Sequence, residues 1–224
     1  MHVTRMNFNG DPNLGLYGFA TDRFCLIGCN VRDKIKSLDV PILTATLLST
    51  ELIGIFSTGN SSGIIVPDIL ENHELNHIKA ILSKIGVKVL VLDSRFTALG
   101  NLILMNDNGI ILSNMLKENK KQIEHFFGLK CEISTIAGLD IVGSLGIATN
   151  SGCLLNPQVK RKEIKTIEKV LDIKADIGTV NFGSPFPKSG IIANKNGYVV
   201  SPISSGPELQ RIEEVFGFIK TDKF

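Results

Sequence analysis

The sequence predicts an α/β fold: a closed pseudo-fivefold ring of five αβ units of about 45 residues each. Three observations predict it. A polar turn followed by glycine and a short apolar run recurs along the chain. A helical pattern and a short strand follow each copy. The first strand of the chain matches the element that the last unit lacks.

The turn phrase appears as GNSSGIIVP (59–67), NDNGIILS (106–113), TNSGCLLNP (149–157) and NKNGYVVSP (194–202). A weaker copy, ATDRFCLIG (20–28), has Phe24 where the others have glycine. Asn-Gly between apolar runs signals a hairpin whose turn residues take φ > 0. Each copy is followed by helical apolar spacing in HIKAILSKIG (77–86), IEHFFG (123–128), IEKVLD (167–172) and IEEVFG (212–217). Short strands follow in VKVLVLD (87–93), LKCEIS (129–134) and IKADIGTV (173–180). The strands that lead into the turns are read as LGNLILM (99–105), VGSLGIA (142–148) and KSGIIA (188–193). The unit is thus strand, turn, strand, helix, strand. A β-propeller has a similar period but no helix in each blade.

The ends decide how the array stops. After its helix the last unit runs into FGFIKTDKF, with little room for a third strand. The N-terminal HVTRMNF is a strand without a partner of its own. Asn7-Phe8 matches Asn181-Phe182, each pair followed by glycine and proline. The N-terminal strand is therefore expected to complete the last unit and to remove the exposed edges of an open array. The expected organisation is a single domain over 1–224, with units 14–51, 52–98, 99–141, 142–186 and 187–224 plus 1–13.

Composition narrows the function classes. Hydrophobic residues make up 43% of the chain and aromatics 6%, with no tryptophan, so the core is aliphatic. No apolar run approaches about 18 residues, and no membrane span is expected. The N-terminus lacks the apolar stretch of a signal peptide, which points to the cytoplasm. The net charge of +2 argues against broad nucleic-acid binding. Cys25, Cys29, Cys131 and Cys153 are read as buried thiols, because Cys25 and Cys29 have no second close pair to build a zinc site.

A closed ring of five αβ units is similar to the pentein architecture. Within it, SRFTALGNLILMND (94–107) resembles the arginine–x–Ser/Thr–Ala–Leu–Gly–Asn loop of the archaeal and eukaryotic translation initiation factor six family. GNSSGIIVP, ELNHI (74–78), VGS (142–144), GTVNFGS (178–184) and the N-terminal strand resemble that family too, and the length resembles its shorter archaeal form. The resemblance implies a ribosome anti-association factor. Such a factor binds the large ribosomal subunit, chiefly a ribosomal protein with possible rRNA contact, and blocks joining of the small one. It implies no catalysis, no cofactor and no metal; a closed ring is expected to be a monomer.

The expected binding surface is built on loops at one end of the scaffold. In the 95–101 loop Arg95 is included, Leu99 is an apolar anchor, Gly100 allows close backbone approach, and Asn101 offers donors and an acceptor. Gly143-Ser144, Gly183-Ser184 and Asn9-Gly10 are read as the equivalent junctions on the same face. Ser61-Ser62 stand where relatives often carry bulkier or basic residues, which weakens a nucleic-acid role for that turn.

Two catalytic readings compete. His73-Glu74-Leu75-Asn76-His77 matches the H-E-x-x-H zinc hydrolase pattern, but both histidines fall opposite the stripe Leu75, Ile78, Leu82 and Ile85. The pentein architecture also hosts guanidine-modifying enzymes with a nucleophilic cysteine near the C-terminus. Here the segment 187–224 has neither Cys nor His, and Cys153 has no evident activating partner. The basic runs Lys160-Arg161-Lys162…Lys165 and Lys117…Lys120-Lys121 are read as solvated starts of helices, with rRNA contact as the alternative.

Overall fold

The computed structural model describes residues 2–28, 31 and 34–219. Cys29 lies outside these residues. The repeat is visible as five three-stranded sheets. The first holds β2 (Gly18–Ala20), β3 (Cys25–Ile27) and β4 (Ile42–Thr44). The second holds β5 (Thr58–Gly59), β6 (Gly63–Pro67) and β7 (Lys88–Leu92). The third holds β8 (Ile103–Met105), β9 (Gly109–Leu112) and β10 (Lys130–Ile133). The fourth holds β11 (Gly146–Ala148), β12 (Cys153–Leu155) and β13 (Ala175–Ile177). In the fifth, β14 (Ile191–Ala193) and β15 (Tyr198–Val200) are joined by β1 (Val3–Arg5).

Every sheet has the same pairing. A hairpin makes the first pair antiparallel, and the return strand makes the second pair parallel. A parallel partner needs a long crossover. The crossover helices are α2 (Asn72–Ser83), α4 (Lys120–Phe127), α6 (Arg161–Leu171) and, in the last unit, α8 (Gly206–Val215). After α8 the parallel partner comes from the other end of the chain, with Val3 opposite Tyr198 and Arg5 opposite Val200.

The middle strands are buried throughout, as in Ile110, Ile111 and Leu112, and the aliphatic core follows from that. The core lies between sheets. One cluster joins Phe24 and Leu26 to Ile53, Ile64 and Ile78 of the next unit. Another joins Ile192 and Val199 of the fifth sheet to Leu14, Cys25 and Ile27 of the first unit.

The leading strands are shorter than the sequence suggested. Each is preceded by one helical turn: a 3-10 turn at Leu14–Leu16, then α1 (Ile53–Phe56), α3 (Leu99–Leu102), α5 (Val142–Leu145) and α7 (Pro187–Gly190). LGNLILM is therefore α3 followed by β8. A short, fully apolar run carries no periodicity that separates the two conformations.

The hairpin glycines also serve a different purpose from the one expected. No hairpin-turn residue has positive φ. The turn is closed instead by its first side chain: Asn106 Oδ1 accepts from the amides of Asn108 (3.0 Å) and Gly109 (3.1 Å), and Asn194 Oδ1 does the same for Asn196 and Gly197. Glycine is required because the next unit's helix ends against it. A Cβ on Gly109 would lie 2.0 Å from Val170 O, and one on Gly152 would lie 1.9 Å from Val215 O. The same asparagine binds that helix end. Asn106 Nδ2 donates to Leu171 O (2.9 Å) and to Thr149 O of the next turn (3.2 Å). Asn194 Nδ2 donates to Leu38 O (2.9 Å) and Thr21 O (3.0 Å), joining the fifth unit to the first.

A second contact between units anchors the outer turns. Tight turns close at Phe8–Asp11, Leu47–Thr50, Ile136–Leu139 and Val180–Ser184. Their central residues have positive φ, among them Leu48, Ser49, Ala137, Asn181 and Phe182, so successive amides point the same way and form an anion nest. In three of the four a glutamate at the third position of the next crossover helix fills it, whereas at Phe8–Asp11 the Gly10 amide donates to Asn7 Oδ1 (3.1 Å). Glu74 accepts from Leu48 N and Ser49 N (3.0 and 2.8 Å). Glu163 accepts from Ala137 N and Gly138 N (both 3.0 Å), and Glu208 from Phe182 N and Gly183 N (3.1 and 2.8 Å). Phe8 thus takes the place of Val180, not of Phe182: Phe8 is 3% exposed and Phe182 is 82% exposed. The Asn-Phe match in the sequence is a coincidence, because the Val180–Ser184 turn is one residue longer than the other three.

Two outcomes test these contacts. Gly152→Ala should cost about 2–3 kcal/mol in urea unfolding, because backbone must move to admit the methyl. Gly206→Ala, with nothing within 4 Å of its Cβ, should leave stability unchanged or raised. For Glu163 and Glu208, burial raises the carboxyl pKa. Hydrogen bonds from Thr135, Lys160, Gly138 and Ala137 on one, and from Ser205, Gly183 and Thr179 on the other, outweigh it and hold both below 4.5. Their contribution is complete above the unfolded value of 4.5 and is lost as pH falls through the lower folded values. Glu163→Gln with Glu208→Gln should cost about 1–2 kcal/mol per site at pH 7 and flatten the acid side of the stability profile, read from urea melts at a series of pH values.

Candidate functional site: the two ends of the unit array

The five short helical turns gather at one end. Each touches the next: Leu14–Leu16 touches α1, α1 touches α3, α3 touches α5, α5 touches α7, and α7 touches Leu14–Leu16. Small residues make this possible. A Cβ on Gly54 would lie 1.9 Å from Gly15 O, one on Gly100 2.0 Å from Gly54 O, and one on Gly143 2.2 Å from Gly100 O. Gly100 does let a backbone approach closely, but the backbone belongs to the chain's own second unit. Leu99 is fully buried in the core of the third unit, so it is not an exposed anchor. Gly143 is buried too.

The next residue along each turn faces outward. Asn101 and Ser144 are half-buried and line one pocket with Gly15, Leu16, Gly54, Phe186, Lys188 and Ser189. Arg95 is exposed, with its guanidinium 4.7 Å from the Phe96 ring centre. Gly183 is exposed and Ser184 half-buried, but they sit in the tight turn, where Ser184 N donates to Val180 O (2.7 Å). They match Gly10 and the Ala137-Gly138 turn, not Gly100-Asn101. The repeat carries small and polar pairs at two places, and the sequence reading merged them.

The 93–98 segment departs from its siblings. It has none of the positive-φ residues seen in the other turns. The third position of α4 is Gln122 where the other helices have glutamate. Arg95 and Phe96 face a groove with Met115, Lys117 and Asn119, and Asn119 Nδ2 donates to Asp93 O (2.9 Å).

The opposite end is different in kind. There the hairpin turns bond to one another. Asp107 accepts from Ser61 N and Ser61 Oγ (both 2.8 Å), and Asn150 Nδ2 donates to Asp107 Oδ2 (2.6 Å) and Asp22 Oδ2 (2.7 Å). Lys195 N donates to Asp22 Oδ1 (2.8 Å). Ser61 is thus committed to its neighbouring turn. An apolar cavity is walled by Phe19, Leu104, Ile147 and Ile192, and Lys188 lines both it and the pocket of Asn101 and Ser144.

The groups weighed for catalysis are occupied by structure. Glu74 is 2% exposed and bound to two backbone amides. His73 lies 3.1 Å from Glu71, and His77 Nε2 lies 3.2 Å from Thr44 O. Cys25, Cys131 and Cys153 are buried and free. Burial pushes the thiols of Cys25 and Cys131 up to about 12 and that of Cys153 higher still. The basic run around Lys160–Lys165 opens α6, and Lys120 and Lys121 open α4. Sequence reading did not single out the Glu163 and Glu208 anchors, nor Lys188. The signal for the glutamates was their shared third position in three helices. Lys188 had none, since a single lysine in a polar-looking segment reads as solvated.

No helix among the described residues is long and apolar enough to cross a membrane. Comparison with known proteins covers nearly the whole chain. Translation initiation factor 6 of Pyrococcus horikoshii is 36% identical over 227 residues, spanning 98% of this chain and all of that protein. The proteins of the same name from Haloquadratum walsbyi and Methanocaldococcus jannaschii are each 35% identical over 225 residues, spanning 98% and 97% of this chain. The eIF-6 family model matches residues 3–215, threading all five sheets and both ends described above, and the chain belongs to that family.

Proposed function

We propose that this chain is a non-enzymatic translation factor that binds the large ribosomal subunit and blocks its joining to the small one by steric exclusion. The name of the archaeal relatives, translation initiation factor 6, supports the translation role. The reading rests on a single domain over 1–224 whose units 14–51, 52–98, 99–141, 142–186 and 187–224 plus 1–13 close into a pentein ring. Support for closure comes from the pairing of β1 with β15, from the shared core of the fifth and first sheets, and from the contact of α7 with Leu14–Leu16. A ring without free edges acts as a monomer.

One observation carries the docking assignment: the two ends differ in what their polar groups already hold. At the hairpin end the side chains of Ser61, Asp107, Asn150 and Asp22 already bond across neighbouring turns. At the other end, among the described residues, the side chains of Asn101 and Ser144 bond to no protein group, although the backbone beneath them is fixed by packing. Unpaired donors on a rigid support favour binding over self-association of the surface. Exposed apolar residues of the adjoining turns, Phe182 (82%), Leu139 (49%) and Phe186 (40%), suit a protein partner more than rRNA. Arg95, Gly183 and Ser184 border this surface. Leu99, Gly100 and Gly143 support it from below.

Sedimentation with isolated archaeal subunits tests the reading. The protein should travel with the large subunit alone, and its addition should lower the yield of joined particles. Asn101→Arg should weaken that binding at least about tenfold while shifting Tm by less than about 2 °C. Absence from the large-subunit fraction would refute the function. Unchanged binding by the variant would refute the site.

A further inference from the structure

Lys188 is the one charged side chain among the residues that line the apolar cavity and the adjoining mouth pocket. Its carbonyl packs against Gly15 in the first unit, while its side chain crosses to the third, where Nζ donates to Gly100 O (2.5 Å). An ammonium has three donors. Gly100 O is the one acceptor given to it among the described residues. The elements packed around it carry no titratable group: Leu14–Leu16, α1, α3 and α5 are LGL, IGIF, LGNL and VGSL, and β2, β11 and β14 are GFA, GIA and IIA. Lys188 is half-buried, and a cation drawn out of water without a counterion is costly; desolvation accordingly lowers its pKa from 10.5 to about 7.

Two further donors line the same pocket and lack partners, the Asn101 amide and the Ser144 hydroxyl. We infer that the mouth pocket is a receptor for a single carboxylate side chain, an aspartate or glutamate of the large-subunit protein that docks on this face, held by Lys188, Asn101 and Ser144. The inference rests on the proposed function and names the chemistry of its partner. The pocket has apolar walls in Leu16 and Phe186, which suit the methylene stem of an acidic side chain. A solitary cation falls short of the several needed to grip an RNA backbone. A carboxylate entering the pocket supplies the missing counterion and uses the vacant donors of all three groups.

The pH dependence has a definite sign. Pairing raises the Lys188 pKa above its value of about 7 in the free protein. Binding is then at full strength below pH 7 and weakens as pH rises, because the free protein must take up a proton to bind. Affinity of fluorescently labelled protein for isolated large subunits, measured from pH 6 to 8.5, should fall about tenfold between pH 7 and 8.5. Lys188→Met should lose at least about tenfold in affinity at pH 6.5 and abolish that slope. Its Tm should equal or exceed that of the wild type, since a half-buried cation without a counterion is gone; a purely structural lysine would lower it. Lys188→Gln, which keeps a donor to Gly100 O, should show the same flat profile and guards against a folding defect in the first variant. Binding by both variants at wild-type strength and slope would overturn the inference while leaving the proposed function intact. A steep salt dependence retained by both variants at wild-type affinity would place the charged contact elsewhere on the protein and overturn it too. Failure of the wild type to bind the large subunit would remove the broader reading and this one together.

Discussion

The close approach of each crossover helix to the hairpin of the preceding unit is the contact on which the structure depends. At the third hairpin it uses a residue without a side chain and a residue with an amide, while at the fourth Thr149 stands in place of the asparagine. Glycine lets the helix end reach the turn backbone, as Val170 O does at Gly109. Asparagine then satisfies carbonyls that a helix end leaves open, as Asn106 does for Leu171. Neither unit completes its polar groups alone, so the units are stable as a set. Placing the same contact between Asn194 and Leu38 links the last unit to the first without any special closing element beyond β1.

This packing accounts for the contrast between the two ends. Hairpin turns drawn together at one end find partners in each other, as Asp107, Asn150 and Asp22 do. At the other end the short helical turns meet through backbone, glycine against carbonyl, and their outward side chains are left over. Around them the outer turns are held by glutamates from the next unit, which keeps residues such as Phe182 in a left-handed conformation while the ring stays in solvent. Rigid backbone with uncommitted side chains is the physical basis for treating that end as the docking face.

Much of this was legible in the sequence, although sometimes for a different reason. The repeat, its period and the pairing of the first strand with the last sheet could be read because Asn, Gly and apolar runs recur in register. The reason for the glycines could not, since proximity to a distant helix end leaves no local mark; the expected positive φ does not occur at Gly109 or Gly152. Asn101 and Ser144 were recognised as surface candidates. Leu99 and Gly100 in the same motif are buried, because one helical turn at Leu99–Leu102 alternates inward and outward positions that an extended strand reading cannot separate. Lys188 was invisible, as its burial arises from three units meeting and not from its neighbours in sequence.

Hydrogen–deuterium exchange of the protein, free and bound to the large subunit, tests most directly which end docks. The account predicts slower exchange of the surface segments 180–184 and 94–101 in the complex, with exchange at the hairpin turns around Asp22, Ser61 and Asp107 unchanged. Protection confined to the hairpin turns, with the short-helix end still exchanging freely in the complex, would contradict it.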